Sequence, residues 1–449
     1  MPDPTSTTTD HGPAPAGPAP ARTTAAPTTS AAPTWPSHRT EERPWRSTAR
    51  GPRADRLLRS VTVSLPPLVA GAVWSPDDDT AVLLARASLA LHALDDAAGL
   101  GPLQHVLART EAVSSSRIEH ECATTEDVAR ALVGSRANAS ATATAHAAEA
   151  IAGLVDAASG GTVDDTALLR AHHRLMRDDP LDGRGAGRYR DVQNWIGGGA
   201  CPRTARYVPP PPEQVPALMA DLFAFLRRDD LHPVAQAAIA HAQFESIHPF
   251  TDGNGRIGRA LVAAVLRARG AARSAVVPLA VVLDAERDRY FAHLDRYRQG
   301  AVDEWVRDLA IAVGAAADEA LVTSLLLAEV AADRAAAVCR SGVHAVLGRA
   351  LEDDAVLTED GAERLVLGAV GGTGAGVRPD AGAVVDRVTE DLCRAGVLRP
   401  VTTRRRNRAW VAPAVVAELD AFVERVRDGV GARARPHSCL GGRPLGPAE

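Results

Sequence analysis

The chain has 449 residues, 50 Lys plus Arg against 55 Asp plus Glu, and a formal net charge of −5, which places it among near-neutral soluble proteins with room for two or three domains. No lysine occurs anywhere, so all fifty basic side chains are arginine. A Walker A lysine, a kinase-type ATP lysine, a lysyl adenylate and a Schiff base are therefore excluded, and any phosphate must be held by backbone N–H groups and arginine.

Apolar residues make up 46% of the chain and aromatics only 4%, with alanine abundant, which favours helices packed closely through small side chains. The five cysteines, Cys122, Cys201, Cys339, Cys393 and Cys439, are odd in number, scattered and without a CxxC pair. They argue against a disulfide framework or structural zinc and point to a reducing, cytoplasmic setting. No uninterrupted apolar run reaches 18 residues, and the N-terminus lacks the order of a signal peptide, so no membrane association is expected.

Residues 1–45 are dominated by Pro, Ala, Thr and Ser and read as a disordered tail, because they cannot bury enough surface to offset their ordering entropy. From 46 to 328, apolar residues recur with helical spacing over 81–95, 124–133, 142–156, 163–176, 213–227, 233–247, 256–269, 286–298 and 302–328. Between Trp195 and Pro212, glycines, the segment Arg203 to Val208 and four consecutive prolines predict an extended hairpin instead. Residues 333–425 change pattern. Three short helical stretches precede Val397–Val401, the basic tip Arg404-Arg405-Arg406-Asn407-Arg408 and Ala409–Ala412, the order of a winged helix. Residues 428–449, rich in Gly, Pro and Arg, read as a flexible tail.

The segment His248-Pro249-Phe250-Thr251-Asp252-Gly253-Asn254-Gly255-Arg256-Ile257-Gly258-Arg259 carries the chemistry. A helix with Ala240, Phe244 and Ile247 on one stripe ends at His248, which Pro249 pushes out of helical geometry. Asp252 to Gly255 tolerate positive φ, and the helix that follows has Ile257, Ala260, Leu261, Ala264 and Val265 at 3.6-residue spacing. Such a turn aims successive N–H groups at one point with a helix dipole behind them, an anion cradle. Arg256 and Arg259 can both reach a phosphate there, Asp252 suits Mg²⁺ beside it, and His248 can act as a base. A rival reading groups His241, Glu245 and His248 as a transition-metal site, but Pro249 turns His248 off the helix axis.

The stretch resembles the HPFx(D/E)GNGRxxR signature of the Fic domain family without substitution. Glu111–Glu119, Gln193–Gly197, Ala205–Pro212 and Ala240–Phe250 resemble the same family, in matching order, over roughly residues 60 to 310. The resemblance implies an all-α Fic fold with a small β-hairpin flap and an appended winged helix, and transfer of AMP from ATP to a Ser, Thr or Tyr hydroxyl of a target protein. It implies His248 as base, Asp252 as Mg²⁺ ligand, and Gly253, Asn254 and Gly255 on the α- and β-phosphates. Arg256 would support the β-phosphate and Arg259 the γ-phosphate. Tyr290 and Phe291 fall where aromatics often line the adenine, and Tyr207 or Val208 would clamp the target on the flap by strand addition. Ser115-Ser116-Arg117-Ile118-Glu119 resembles the (S/T)xxxE(G/N) inhibitory element, with His120 standing where Gly or Asn is usual. Glu119 would then pair with Arg259. Two alternatives remain: a Fic-fold enzyme that transfers a different phosphate-containing group or removes AMP, and a DNA-binding regulator whose Fic fold senses nucleotide.

Overall fold

The computed structural model describes residues 35–47, 52–98, 104–135, 138–338, 342–370 and 380–434. The expected tail up to residue 34, the 371–376 glycine stretch, Cys339, Cys439 and everything beyond 434 lie outside the described residues.

In chain order the elements are β1 (Arg39–Pro44), α1 (Arg53–Arg56), β2 (Ser60–Leu65), α2 (Asp78–Ala98), α3 (Gln104–Ile118), α4 (Thr125–Leu132), α5 (Ala139–Ala158) and α6 (Asp165–Met176). There follow α7 (Val215–Leu226), α8 (Pro233–Ile247), α9 (Asn254–Ala268), α10 (Leu279–Ala285), α11 (Arg287–Arg298) and α12 (Val302–Val338). The chain closes with α13 (Gly342–Asp353), β3 (Val356–Thr358), α14 (Glu359–Val370), α15 (Ala381–Arg394), β4 (Arg399–Pro400), β5 (Ala409–Val411) and α16 (Pro413–Ala434).

Local chemistry sets several of these boundaries. Thr124 and Asp127 form a reciprocal capping box at the start of α4, and the Asn138 and Asp164 side chains accept from Ala141 N and Ala167 N, each at 2.7 Å. Pro233 sits at the first position of α8, where its missing N–H costs nothing. Alanines let α8 be enclosed on all sides, with every residue from Val234 to Ile247 buried. It packs against α7, α9, α11 and α12 and forms the axis of the core.

Three sequence expectations need correction. Residues 35–45 are not all tail: Arg39–Pro44 pairs antiparallel with β2, Glu41 opposite Val63, because Val61 and Val63 have an apolar face to bury against the flap. The boundary expected between 328 and 333 falls inside α12, which continues unbroken to Val338. The loose end expected from 428 is helical as far as Ala434, since α16 packs back on α10 and α12.

Over Val302–Ala331, α12 is long and apolar enough to cross a membrane, yet half of its apolar window is buried inside the protein. Its inner stripe, Trp305, Val306, Leu309, Val313 and Ala317, faces the core beside α2 and α8. The C-terminal elements run helix, strand, helix, helix, strand, strand, with the antiparallel sheet in the order β3-β5-β4.

Trp305 is fully buried, and its indole N–H donates to the Ala238 carbonyl of α8 at 2.6 Å. Trp305→Ala should destabilise by about 3–5 kcal/mol through cavity formation and an orphaned carbonyl, read as a lowered urea midpoint.

Candidate active site

The site is built on the turn between α8 and α9. His248 ends α8 in the left-handed conformation (φ 50°, ψ 61°), with its N–H still donating to the Phe244 carbonyl at 2.8 Å. Pro249 stops the helix there. Arg190, almost wholly buried, ties this exit down. Its Nε donates to the His248 carbonyl at 2.8 Å, Nη2 to the carbonyls of Pro210 (2.6 Å) and Ile247 (3.3 Å), and Nη1 to Val192 O at 3.2 Å. Burial first, then the charges of Arg190 and Arg298, push the His248 imidazole down to about 3, with Glu119 and the Glu245 carbonyl pulling the other way. The ring is neutral at physiological pH, the state a base requires.

The loop that follows is braced at each residue. Asn254 Oδ1 accepts from Phe250 N and its Nδ2 donates to Phe250 O, both at 2.8 Å, and Asn194 Nδ2 donates to the same carbonyl at 2.8 Å. Asn254 thus shapes the turn with its side chain, leaving only its backbone for a phosphate. The His172 ring stacks on Phe250, centroids 3.6 Å apart and planes 4° from parallel. Because Gly187 N donates to His172 Nδ1 (2.9 Å), Nε2 carries the proton and donates to the Asp252 carbonyl at 3.1 Å. Gly253, at φ 75°, opens α9 in a conformation that glycine adopts without strain.

Arg259 is the most enclosed cation described, 1% exposed. Its Nε donates to Ser115 Oγ at 2.8 Å, and Nη2 donates to both Ser115 O (2.9 Å) and Glu119 Oε1 (2.8 Å). The expected Glu119 pairing is present, with Ser115 supplying two of the contacts. Burial works against the Arg259 charge, but Glu119, Tyr290 and Glu245 hold it protonated. Burial raises the Glu119 carboxyl, while Arg259, Arg256 and His248 outweigh it and bring the group below its usual range. A Cβ on Gly255 would collide with Glu119 Oε1, so the carboxylate lies directly over the cradle. Glu119 follows the last residue of α3, and His120 takes φ 65°, the turn that Gly or Asn makes most easily.

Arg256 is buried to 8% exposure, with Nη2 3.3 Å from Asp252 Oδ2 and its Nε buried without a partner, a donor waiting for an acceptor. Asp252 is half exposed, and the Asp182 carboxyl is raised by burial and by the charge of Asp252 beside it. This donor set suits a Mg²⁺ that arrives with phosphate oxygens, one carboxylate plus water. It does not suit an all-protein cage. Among the described residues no cluster of three His, Cys, Asp or Glu can hold a metal, and His241 Nε2 lies 2.9 Å from Tyr290 OH instead of joining His248.

Three expected binding residues have other duties. Tyr207 is buried, donating from OH to the Ser246 carbonyl at 2.6 Å beneath the Arg298 guanidinium, 3.7 Å from its ring centre. Val208 packs on Val61 and Val63, and its carbonyl accepts from Ser64 N at 2.8 Å, so neither is free to clamp a target. The flap itself reduces to one antiparallel bridge, Ile196 to Tyr207, because β2 occupies part of its outer edge. Tyr290 is likewise core. Phe291 stays half-buried between the Arg206 and Arg287 guanidinium groups, 5.8 and 5.2 Å from its centroid.

Arg190, Asn194 and His172 were not anticipated. Arg190 binds backbone carbonyls, which leave no residue signature, whereas His172 lies on the apolar stripe Leu168, Ala171, Leu175 of α6 and was detectable from that position.

Two solution outcomes follow. In ¹³C-histidine NMR, the His248 ring should stay neutral far below pH 6, and Arg190→Ala should move its titration upward. Glu245 is buried with Oε1 unpartnered, and burial raises its carboxyl to about 7, the charge of Arg259 opposing. Native protein then binds more protons than unfolded chain between about pH 4.5 and 7, so stability falls as pH rises through that window. Glu245→Gln should flatten this slope and gain on the order of a few kcal/mol at pH 8, measured by urea unfolding across pH.

Residues 162–266, which contain His172, Arg190, His248 and the whole cradle, match the Fic/DOC family model. A protein adenylyltransferase Fic from Nematostella vectensis is 31% identical over 161 residues, 35% of this chain and 33% of that protein. One from Drosophila grimshawi is 32% identical over 147 residues, 32% of this chain and 27% of that one. The chain thus spans about a third of the length of the curated relatives it matches. A Fic family protein from Desulfovibrio desulfuricans G20, 22% identical, superposes over 76% of this chain and 97% of its own with a TM-score of 0.49. The likeness to the Fic/DOC family thus rests on residues 162–266, the stretch that holds the cradle and its braces.

Proposed function

We propose that this protein is a self-inhibited protein adenylyltransferase, moving AMP from ATP to a hydroxyl of a target protein. The observation that carries the reading is the Glu119 carboxylate lying over the cradle and paired with Arg259, the cation best placed for the terminal phosphate of a nucleotide. An anion mimic in an anion site explains why a buried arginine is satisfied without ligand. The relatives at 31 and 32% identity are named adenylyltransferases, which supports AMP as the transferred group over its alternatives.

In this mechanism the backbone N–H groups at Gly253, Asn254 and Gly255 and the free Nε of Arg256 take the α- and β-phosphates, with Arg259 on the γ-phosphate once Glu119 leaves. Asp252 would hold Mg²⁺, which supplies charge neutralisation on the phosphates when bound. The target oxygen attacks the α-phosphorus, the bond to the β-phosphate oxygen breaks, and pyrophosphate leaves. His248 accepts the hydroxyl proton. A base held this low takes the proton only late, as the new P–O bond forms. Phe291, the one of the two aromatics left partly open, would face the adenine.

We read the C-terminal elements as a winged helix. Its recognition position, α15, carries Asp386, Glu390 and Asp391 against Arg387 and Arg394, and Arg394 is paired with Glu390 and Asp391, which favours a protein contact over DNA. The free thiols of Cys122, Cys201 and Cys393 agree with a reducing cytoplasm.

The test is incubation with α-labelled ATP and Mg²⁺, alone and with lysate. Glu119→Gly and Glu119→Gln should each raise labelling about tenfold or more, His248→Ala should abolish it while nucleotide still binds, and Asp252→Ala should raise the Mg²⁺ requirement. Correctly folded Glu119 variants that label nothing would overturn the reading.

A further inference from the structure

The inhibitory carboxylate stands at the end of a short tether, and both ends of that tether are gripped by the C-terminal part of the chain. Four residues lie between Glu119 and Thr124, the cap of α4, so where α4 sits limits where Glu119 can sit. One face of α4 is docked on the small sheet: Ala129, fully buried, packs with Val356, Ala409 and Val411, and Val133 and Val401 border them. Arg130 Nε donates to the Val401 carbonyl at 3.1 Å, and Arg399 pairs with Glu126. On the other side of Glu119, α3 is held by Arg109 to Asp354, 2.5 Å, just before β3. Asp284 bridges Arg117 of α3 (3.5 Å) and Arg427 of α16 (3.8 Å).

The turn between these grips has few ties of its own. Glu119 N and Glu121 N both donate to Ser116 O, at 3.0 and 2.9 Å, Arg287 contacts the Ile118 carbonyl and the His120 ring, and Ser140 contacts Glu121. Behind it lies a cavity of about 330 Å³ among α3, the start of α4 and α16, lined by Val113, Ser114, Arg117, Thr124, Leu419 and Val423. A void of that size means that the joint of α3, the start of α4 and α16 is incompletely packed, so α4 is held by its contacts with the sheet and with α5.

We propose that the C-terminal sheet is a clamp that holds α4, and through it Glu119, in the inhibitory position, so that releasing α4 from the sheet frees Arg259 for nucleotide. The proposal rests on the adenylyltransferase reading for its consequence in activity, but its mechanical part stands on the tether alone. It assigns β3, β5 and β4 a regulatory role in this chain, with no contact to the cradle itself.

The experiment uses the full chain with two interface changes that lie outside the site. Ala129→Arg forces a charge into the α4–sheet contact. Glu126→Arg combined with Arg399→Glu swaps the pair while Arg130, which also bonds Glu126, keeps Asp127 as its partner, and the single Arg399→Glu sets two carboxylates against each other. Hydrogen exchange over residues 116–124 should quicken at least fivefold in Ala129→Arg and about twofold in Arg399→Glu, returning to the original rate in the swapped pair. Labelling by α-labelled ATP should rise in parallel, and Ala129→Arg should add nothing to Glu119→Gly. A thermal melt confirms that each variant is folded, and if Ala129→Arg is not, the charge swap decides. Unchanged exchange and labelling beside an active Glu119→Gly would overturn the clamp and leave the inhibitory pair standing. Faster exchange with every variant silent, Glu119→Gly included, would keep the mechanical link and remove the transferase reading.

Discussion

A guanidinium with 1% exposure is costly to keep in a protein interior unless its charge and its donors are met, and Arg259 is the point at which this fold meets that demand. Ser115 and Glu119 come from a helix that is 140 residues distant in sequence, yet they take three of its hydrogen bonds. That requirement sets the packing of α3 against α9, places the Glu119 carboxylate over Gly255 and leaves Arg256, one turn away, with an open donor. The same cation therefore organises the resting protein and offers the binding energy that a nucleotide would claim from Glu119.

Around it, the reacting geometry is held by backbone ties. Arg190 on His248, Asn194 and Asn254 on Phe250, and His172 on Asp252 each bond a carbonyl or an N–H of the turn. A loop fixed in this way pays its ordering entropy on folding and presents its N–H groups without rearrangement. Burial first, and then the charges of Arg190 and Arg298, keep the His248 ring neutral, so the arginine that positions this residue also contributes to its protonation state.

The proposed regulation rests on connectivity. Glu119 sits between a helix anchored to the loop before β3 and a helix anchored to the sheet, which couples the C-terminal elements to the cradle through a five-residue turn. α12 runs unbroken from the core to Val338 and packs on both α13 and α16, so among the described residues one helix is shared by the two parts.

The helix α8, the turn that carries His248 and Asp252, and the helix α9 with Arg256 and Arg259 were legible in the residues alone, because proline, glycine and periodicity act within a few residues of where they stand. It also made the Ser115 and Glu119 spacing readable, since i and i+4 share a face. It took the folded chain to show that Tyr207 and Tyr290 are core residues, that β2 occupies part of the flap edge, that α12 crosses the expected domain boundary, and that Arg190 and His172 hold the turn. The bonds that hold Tyr207, Tyr290, Arg190 and His172 join surfaces that lie 39 to 80 residues apart in the chain. An arginine that binds four carbonyls, or a strand that covers another strand's edge, is specified by partners whose backbone atoms are the same in every residue and so leave no mark in the sequence.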